Sequence, residues 1–276
     1  MKKAVVSMLS CLVLFSCVDN TLDKSEPRLP VVERHYNKET GEAIAEKSFE
    51  YDRYRNLIRE SYKPLIFKVG GYENIYEYDD QHNRILILSR QVSDVASYSI
   101  ARFTYDGDKK IEEQYYGNDV SARLPHTKVV YYYSGSQPDS SRTFQLFANE
   151  NDYKYSGACY FKYDNQGRLM EEQKRFYDGS LMVTKMNNYD GELLQQTCNP
   201  VTGQEGVFNC TKYEYNSQKN VIRKYATLTG TADKLLEEHT YTEGLLTESK
   251  IFDQKYYLPV YNADPAPYTL RIVYEY

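Results

Sequence analysis

The chain has no tryptophan in 276 residues, and only four histidines and five cysteines. These shortages remove several chemistries. His35, His82, His126 and His239 stand far apart, with no H-E-x-x-H or Cys-x-x-Cys spacing, so no zinc or other metal site is expected. No glycine-rich phosphate loop occurs, and no cofactor is expected. Asp79-Asp80, Asp106-Gly107-Asp108 and Asp164-Asn165 lack the alternating spacing and distal glutamate of a calcium loop, and read as turns. No apolar run reaches the roughly twenty residues of a membrane-spanning helix. Basic residues are outnumbered 34 to 39, for a formal charge of −5, and they are scattered, which argues against a nucleic-acid partner. Adjacent glutamates recur at Glu112-Glu113, Glu171-Glu172 and Glu237-Glu238, but neighbours on a strand face opposite ways, so no pair converges on one bond. No catalytic residue is expected.

Tyrosine is what the chain has in abundance, with 30 copies. Tyr51, Tyr78, Tyr105, Tyr133, Tyr163, Tyr189, Tyr215 and Tyr241 recur every 26 to 30 residues, each ending an alternating aromatic run and opening a polar turn. The clearest copy is Tyr163-Asp164-Asn165-Gln166-Gly167-Arg168-Leu169. Before it, Cys159, Phe161 and Tyr163 share one face of a strand. Asp164 and Asn165 suit a turn, and Gly167 takes the positive φ near its end. Asn83 and Asn220 are expected to fill the glycine's role elsewhere, because Asn tolerates the left-handed region. Each unit therefore reads as a β-hairpin.

This motif resembles the YD repeat of RHS-type proteins, whose units build a spiralling antiparallel β-sheet. The likeness covers roughly residues 36–276 and implies architecture, not activity. The expected fold is all-β: one antiparallel meander of about 16 to 18 strands in a single sheet that coils or curls. A transmembrane β-barrel is suggested by the strand number and by the run Ile272-Val273-Tyr274-Glu275-Tyr276. Against it, the strand Leu169-Met170-Glu171-Glu172-Gln173-Lys174-Arg175 presents no continuous lipid-facing band.

Met1-Lys2-Lys3 and the short apolar run to Phe15 read as an export signal. Leu14-Phe15-Ser16-Cys17 resembles a bacterial lipobox. The expected organisation is a signal peptide over 1–16, a lipidated tether over 17–30 beginning at Cys17, and a repeat domain over 31–276. Val18 after the cysteine resembles an outer-membrane address, and Asp19 resembles surface export of the Bacteroidetes kind. Export permits disulfides, and Cys198 and Cys210 bracket a turn-rich stretch that would bring them together, leaving Cys159 as a small buried apolar residue.

Two functions follow as expectations. One is a non-catalytic outer-membrane lipoprotein acting as a scaffold or as a binding surface for an envelope protein. The other is a glycan-binding lipoprotein in which Tyr78, Tyr105 and Tyr133 form an exposed stacking ladder with the repeat's own spacing.

Overall fold

A computed structural model of the chain describes residues 28–66, 70–92, 98–117, 124–147, 152–176, 178–201, 204, 206–229, 232–252 and 270–276. Cys17, the signal segment and most of the tether lie outside the described residues. The described chain forms eighteen β-strands, β1 (Val32–Asn37), β2 (Ala43–Tyr51), β3 (Leu57–Pro64), β4 (Gly71–Tyr78), β5 (Arg84–Val92), β6 (Tyr98–Asp106), β7 (Lys109–Tyr116), β8 (Thr127–Tyr133), β9 (Pro138–Gln145), β10 (Lys154–Tyr163), β11 (Leu169–Phe176), β12 (Leu181–Asp190), β13 (Leu193–Pro200), β14 (Phe208–Tyr215), β15 (Val221–Leu228), β16 (Lys234–Thr242), β17 (Leu245–Ile251) and β18 (Leu270–Glu275). Every strand pairs antiparallel with its sequence neighbour, which is the expected meander.

The sheet is not open. β1 pairs with β18 from Val32↔Glu275 to Asn37↔Leu270, and this closes the meander into a barrel. The expectation of a coiled or curled extended sheet is corrected by this seam to a closed barrel. Its physical reason is the edge: an open sheet would leave two rows of unpaired N–H and C=O groups, and closure pairs them with each other. Ile251, Leu270 and Ile272 are almost fully buried at the seam, with Ile44 and Tyr274 packed against them. At the usual strand spacing and tilt, eighteen strands make a barrel roughly 35 Å across.

The repeat is visible as a defect. In all eight marked hairpins the ladder slips by one residue immediately before the motif tyrosine, as at Glu50/Tyr51, Glu77/Tyr78, Lys162/Tyr163 and Thr240/Tyr241. The same slip precedes Tyr105, Tyr133, Tyr189 and Tyr215. Such bulges increase local twist, and one per hairpin bends the sheet evenly enough to close.

Seven of the eight marked turns follow two plans. Asp52, Asp79, Asp164 and Asn216 each accept two backbone N–H bonds through Oδ1, from the residues two and four positions on, at 2.8 or 2.9 Å. The residue between those donors is left-handed: Arg55, His82, Gly167 and Lys219 have φ of 66°, 64°, 76° and 64°. Positive φ thus falls on His82 and Lys219, not on Asn83 and Asn220. Asn83 instead spends its amide on Asp79 Oδ2 at 3.1 Å. The shorter turns place Gly107, Gly191 and the Glu243-Gly244 pair at positive φ, as two-residue hairpin loops require.

All these two- to five-residue turns lie at one rim, here the turn rim, together with the start of β1 and the end of β18. The ends of β3, β5, β7, β9 and β11 mark the opposite rim, here the long-connection rim.

Candidate functional site

Alternation along the strands separates two faces. One carries Glu33, His35, Lys47, Glu113, Asn187 and Ser249, all buried, and it is the lumen side. The other carries cross-strand ion pairs between half-exposed side chains, such as Arg34–Glu46 at 3.1 Å, Arg271–Glu248 at 2.8 Å and Arg223–Glu238 at 3.2 Å, and it is the outer wall. Glu112 and Glu113 illustrate the split. Glu112 pairs outward with Lys128 at 2.7 Å, while Glu113 accepts the inward hydroxyls of Tyr131 at 2.9 Å and Tyr115 at 2.5 Å.

The inner wall is tyrosine wrapped around carboxylates. Glu60 accepts from Tyr72 at 2.9 Å and Tyr76 at 3.5 Å and pairs with Lys47 at 3.1 Å, while Tyr72 stacks on Tyr62 with ring centroids 5.3 Å apart. These contacts supply the partners that buried carboxylates need. Burial first, and the Glu60 charge second, push Tyr76 up to about 12 and Tyr72 further.

A second inner group has the order of a nucleophile relay. His239 Nδ1 lies 2.7 Å from Ser249 Oγ, directly across from it in register, and His239 Nε2 lies 3.2 Å from Glu237 Oε2. Burial works to raise the Glu237 carboxyl, but the His239 contact and the Lys224 ammonium at 2.7 Å together hold it below the usual carboxylate range. Ser249 is 0% exposed, however, and Tyr274 Oη stands 3.2 Å from its hydroxyl. A nucleophile needs access to its substrate, and this one has none. The group ties β16, β17 and β18 together. Among the described residues no three of His, Cys, Asp and Glu stand close enough to hold a metal ion.

Of the tyrosines proposed for sugar stacking, Tyr78 donates to Leu57 O at 2.9 Å and Tyr133 to Lys110 O at 2.8 Å. Both, with Tyr105, are only half-exposed on the inner side of the turn rim. Their bonds belong to a series. Tyr51, Tyr189, Tyr215 and Tyr241 donate likewise to Pro30, Leu169, Leu194 and Val221 carbonyls, at 2.7 to 3.2 Å. From Tyr78 onward, the accepting residue is the one that lies opposite the preceding repeat's tyrosine in the ladder. Tyr276, which sequence spacing missed because the 252–269 connection breaks the period, continues the series to Leu246 O at 2.7 Å.

Cys198 and Cys210 face each other in register on the outer wall and are bonded, with S–S 2.05 Å, while Cys159 is a free thiol, half-buried. Two residues along, Asn188, Gln196, Lys212 and Tyr225 form a straight cross-strand row through β12 to β15. With Gln195, Tyr213, Glu214 and Asp233 they line a shallow cleft of about 410 Å³, in which Asp233 pairs with Lys212 at 2.8 Å. Sequence spacing gave no sign of this cleft, since it joins four strands from two separate hairpins and Asp233 ahead of a third.

No family model matches the chain, and no curated protein matches it. Among solved structures, a TcdB2-TccC3 complex is 14% identical over 77% of this chain, with a TM-score of 0.35, and this chain spans 15% of that one. A porin-like protein from Bacteroides uniformis is 9% identical over 89% of this chain and 96% of its own, with a TM-score of 0.48. A porin-like protein from Bacteroides vulgatus is 12% identical over 90% of this chain and 99% of its own, with a TM-score of 0.29. Likenesses this distant assign the chain no family and no activity.

Proposed function

We propose that the chain is a non-catalytic β-repeat lipoprotein, held at a bacterial outer membrane by lipid on Cys17, with its barrel outside the hydrocarbon layer as a scaffold or binding surface for an envelope partner. The observation that carries this reading is the charge-paired outer wall. Arg34, Arg223 and Arg271 sit there among glutamates, and an arginine facing lipid at mid-depth costs about 2–4 kcal/mol. A barrel with this wall belongs in water and reaches a membrane by an anchor. Mass spectrometry of the N-terminal peptide from envelope-purified protein tests the anchor, and planar-bilayer recording tests the placement. Acylated Cys17 and no channel conductance are expected; an unmodified Cys17 or steady pores overturn the reading.

The alternative is glycan binding, and the outer cleft favours it. Asn188, Gln195 and Gln196 offer amides, and Tyr225 a ring, which is the mix of directed polar groups and aromatic surface that sugars take. A glycan array comparing wild type with Tyr225→Ala and with the triple Tyr78, Tyr105, Tyr133→Ala variant separates this cleft from the ladder. No binding above background removes both.

A further inference from the structure

Exposed large apolar side chains are not spread over the barrel. Of the eleven among the described residues, eight lie at the long-connection rim. Leu65 and Ile66 follow β3, Val92 ends β5, Leu124 precedes β8 and Phe147 follows β9, each 47–60% exposed. Tyr155, Leu181 and Met182, at the starts of β10 and β12, complete an arc over five successive connections. Exposed basic residues accompany them: Lys63, Arg90, Lys154, Lys174 and Arg175, against exposed Asp152 and Asp178. The turn rim has the opposite character, with Asp80, Asp106, Asp108, Asp190, Glu192 and Glu243 exposed there beside Arg53 and Lys219. An acidic chain therefore carries a basic, apolar arc along part of one rim, with exposed Glu39, Glu42 and Asp233 outside it.

We propose that this rim docks onto an anionic lipid bilayer surface, its apolar tips entering the headgroup boundary and its basic residues meeting lipid phosphates. The chemistry is that of interfacial binding, in which apolar burial and attraction to anionic lipid add. Charge decides the occupant. A second copy meeting rim to rim would oppose two basic arcs, whereas an anionic bilayer complements one. The arc covers part of the rim, so the barrel would sit tilted, dipping the β3–β12 side. This contact is separate from the proposed anchor and does not require lipid on Cys17, which mass spectrometry reads independently.

The absence of tryptophan makes the test direct. In the full chain, Phe147→Trp places a single reporter on the arc and Tyr54→Trp places one at the turn rim. Each is mixed with phosphatidylglycerol/phosphatidylethanolamine vesicles and with phosphatidylcholine vesicles, with and without brominated acyl chains. The expected result is a blue shift and bromine quenching for Phe147→Trp on the anionic vesicles only, weakened by salt and by adding Leu65→Ser and Ile66→Ser, with neither effect for Tyr54→Trp. Circular dichroism confirms that each variant is folded. The absence of a shift on anionic vesicles overturns the proposal, as does equal quenching of both reporters. A shift that needs no vesicles and grows with protein concentration assigns the arc to self-association instead.

Discussion

The hydroxyl of Tyr241 donates to the carbonyl of Val221 at 3.0 Å, and Val221 is the residue lying opposite Tyr215 at the bulge of the preceding hairpin. Each motif tyrosine that makes this bond therefore locks the slipped point of the ladder behind it, where a bulge leaves backbone groups short of partners. Tyr241→Phe keeps the ring and removes the bond. It is expected to lower stability by about 1 kcal/mol, read as a lower urea midpoint with an unchanged slope. An unchanged midpoint would mean that water replaces the hydroxyl at no loss.

The phenols also set an alkaline limit. Burial pushes Tyr163 and Tyr276 up to about 12, and burial with the Glu60 charge does the same for Tyr76. A phenol in the unfolded chain ionises near pH 10, so their contribution is complete below about pH 10 and is lost as pH rises towards 12. Part of the phenolate absorbance is expected to rise late, in a cooperative step that coincides with loss of the far-ultraviolet β signal. Complete phenol ionisation near pH 10 with the β signal intact would contradict this.

The Cys198–Cys210 bond closes a separation of twelve residues beside the outer cleft. Replacing both by Ser is expected to cost about 2–3 kcal/mol on the loop-entropy model. Thermal unfolding of the double variant against wild type measures it, and non-reducing peptide mapping of the purified wild-type protein checks the bond.

Lys219 occupies the left-handed turn position that Gly167 holds in its own hairpin. Its ion pair with Glu192, at 2.9 Å, joins two well-exposed side chains and contributes little. Lys219→Gly is expected to raise stability by about 0.5–1 kcal/mol by relieving the left-handed strain, and Gly167→Ala to lower it by about 1–2 kcal/mol. Urea midpoints of the two variants, moving in opposite directions, check both.

The hairpin period, the strand number and the turn residue Gly167 are all legible in the amino-acid sequence, because each depends on neighbours a few residues apart: alternation, a polar pair, a residue that accepts positive φ. The left-handed roles of His82 and Lys219 were not legible. There the strain is carried by hydrogen bonds to Asp79 and Asn216 three residues earlier, and at Lys219 no residue preference announces it. The relay of Glu237, His239 and Ser249 was equally hidden, since it needs the register of β16 on β17.

The amino-acid sequence by itself determined that this protein is a chain of tyrosine-marked hairpins with an antiparallel neighbour on each side. Only the tertiary structure decided that the ends meet. Closure depends on the curvature summed over every bulge and on whether β18 arrives beside β1 in register, and that sum is a property of the whole chain that no single repeat contains. Inside and outside were decided at the same step. Alternation assigns each residue to one of two faces, but Glu113 became lumenal and Glu112 solvent-facing only when the sheet closed with one face within.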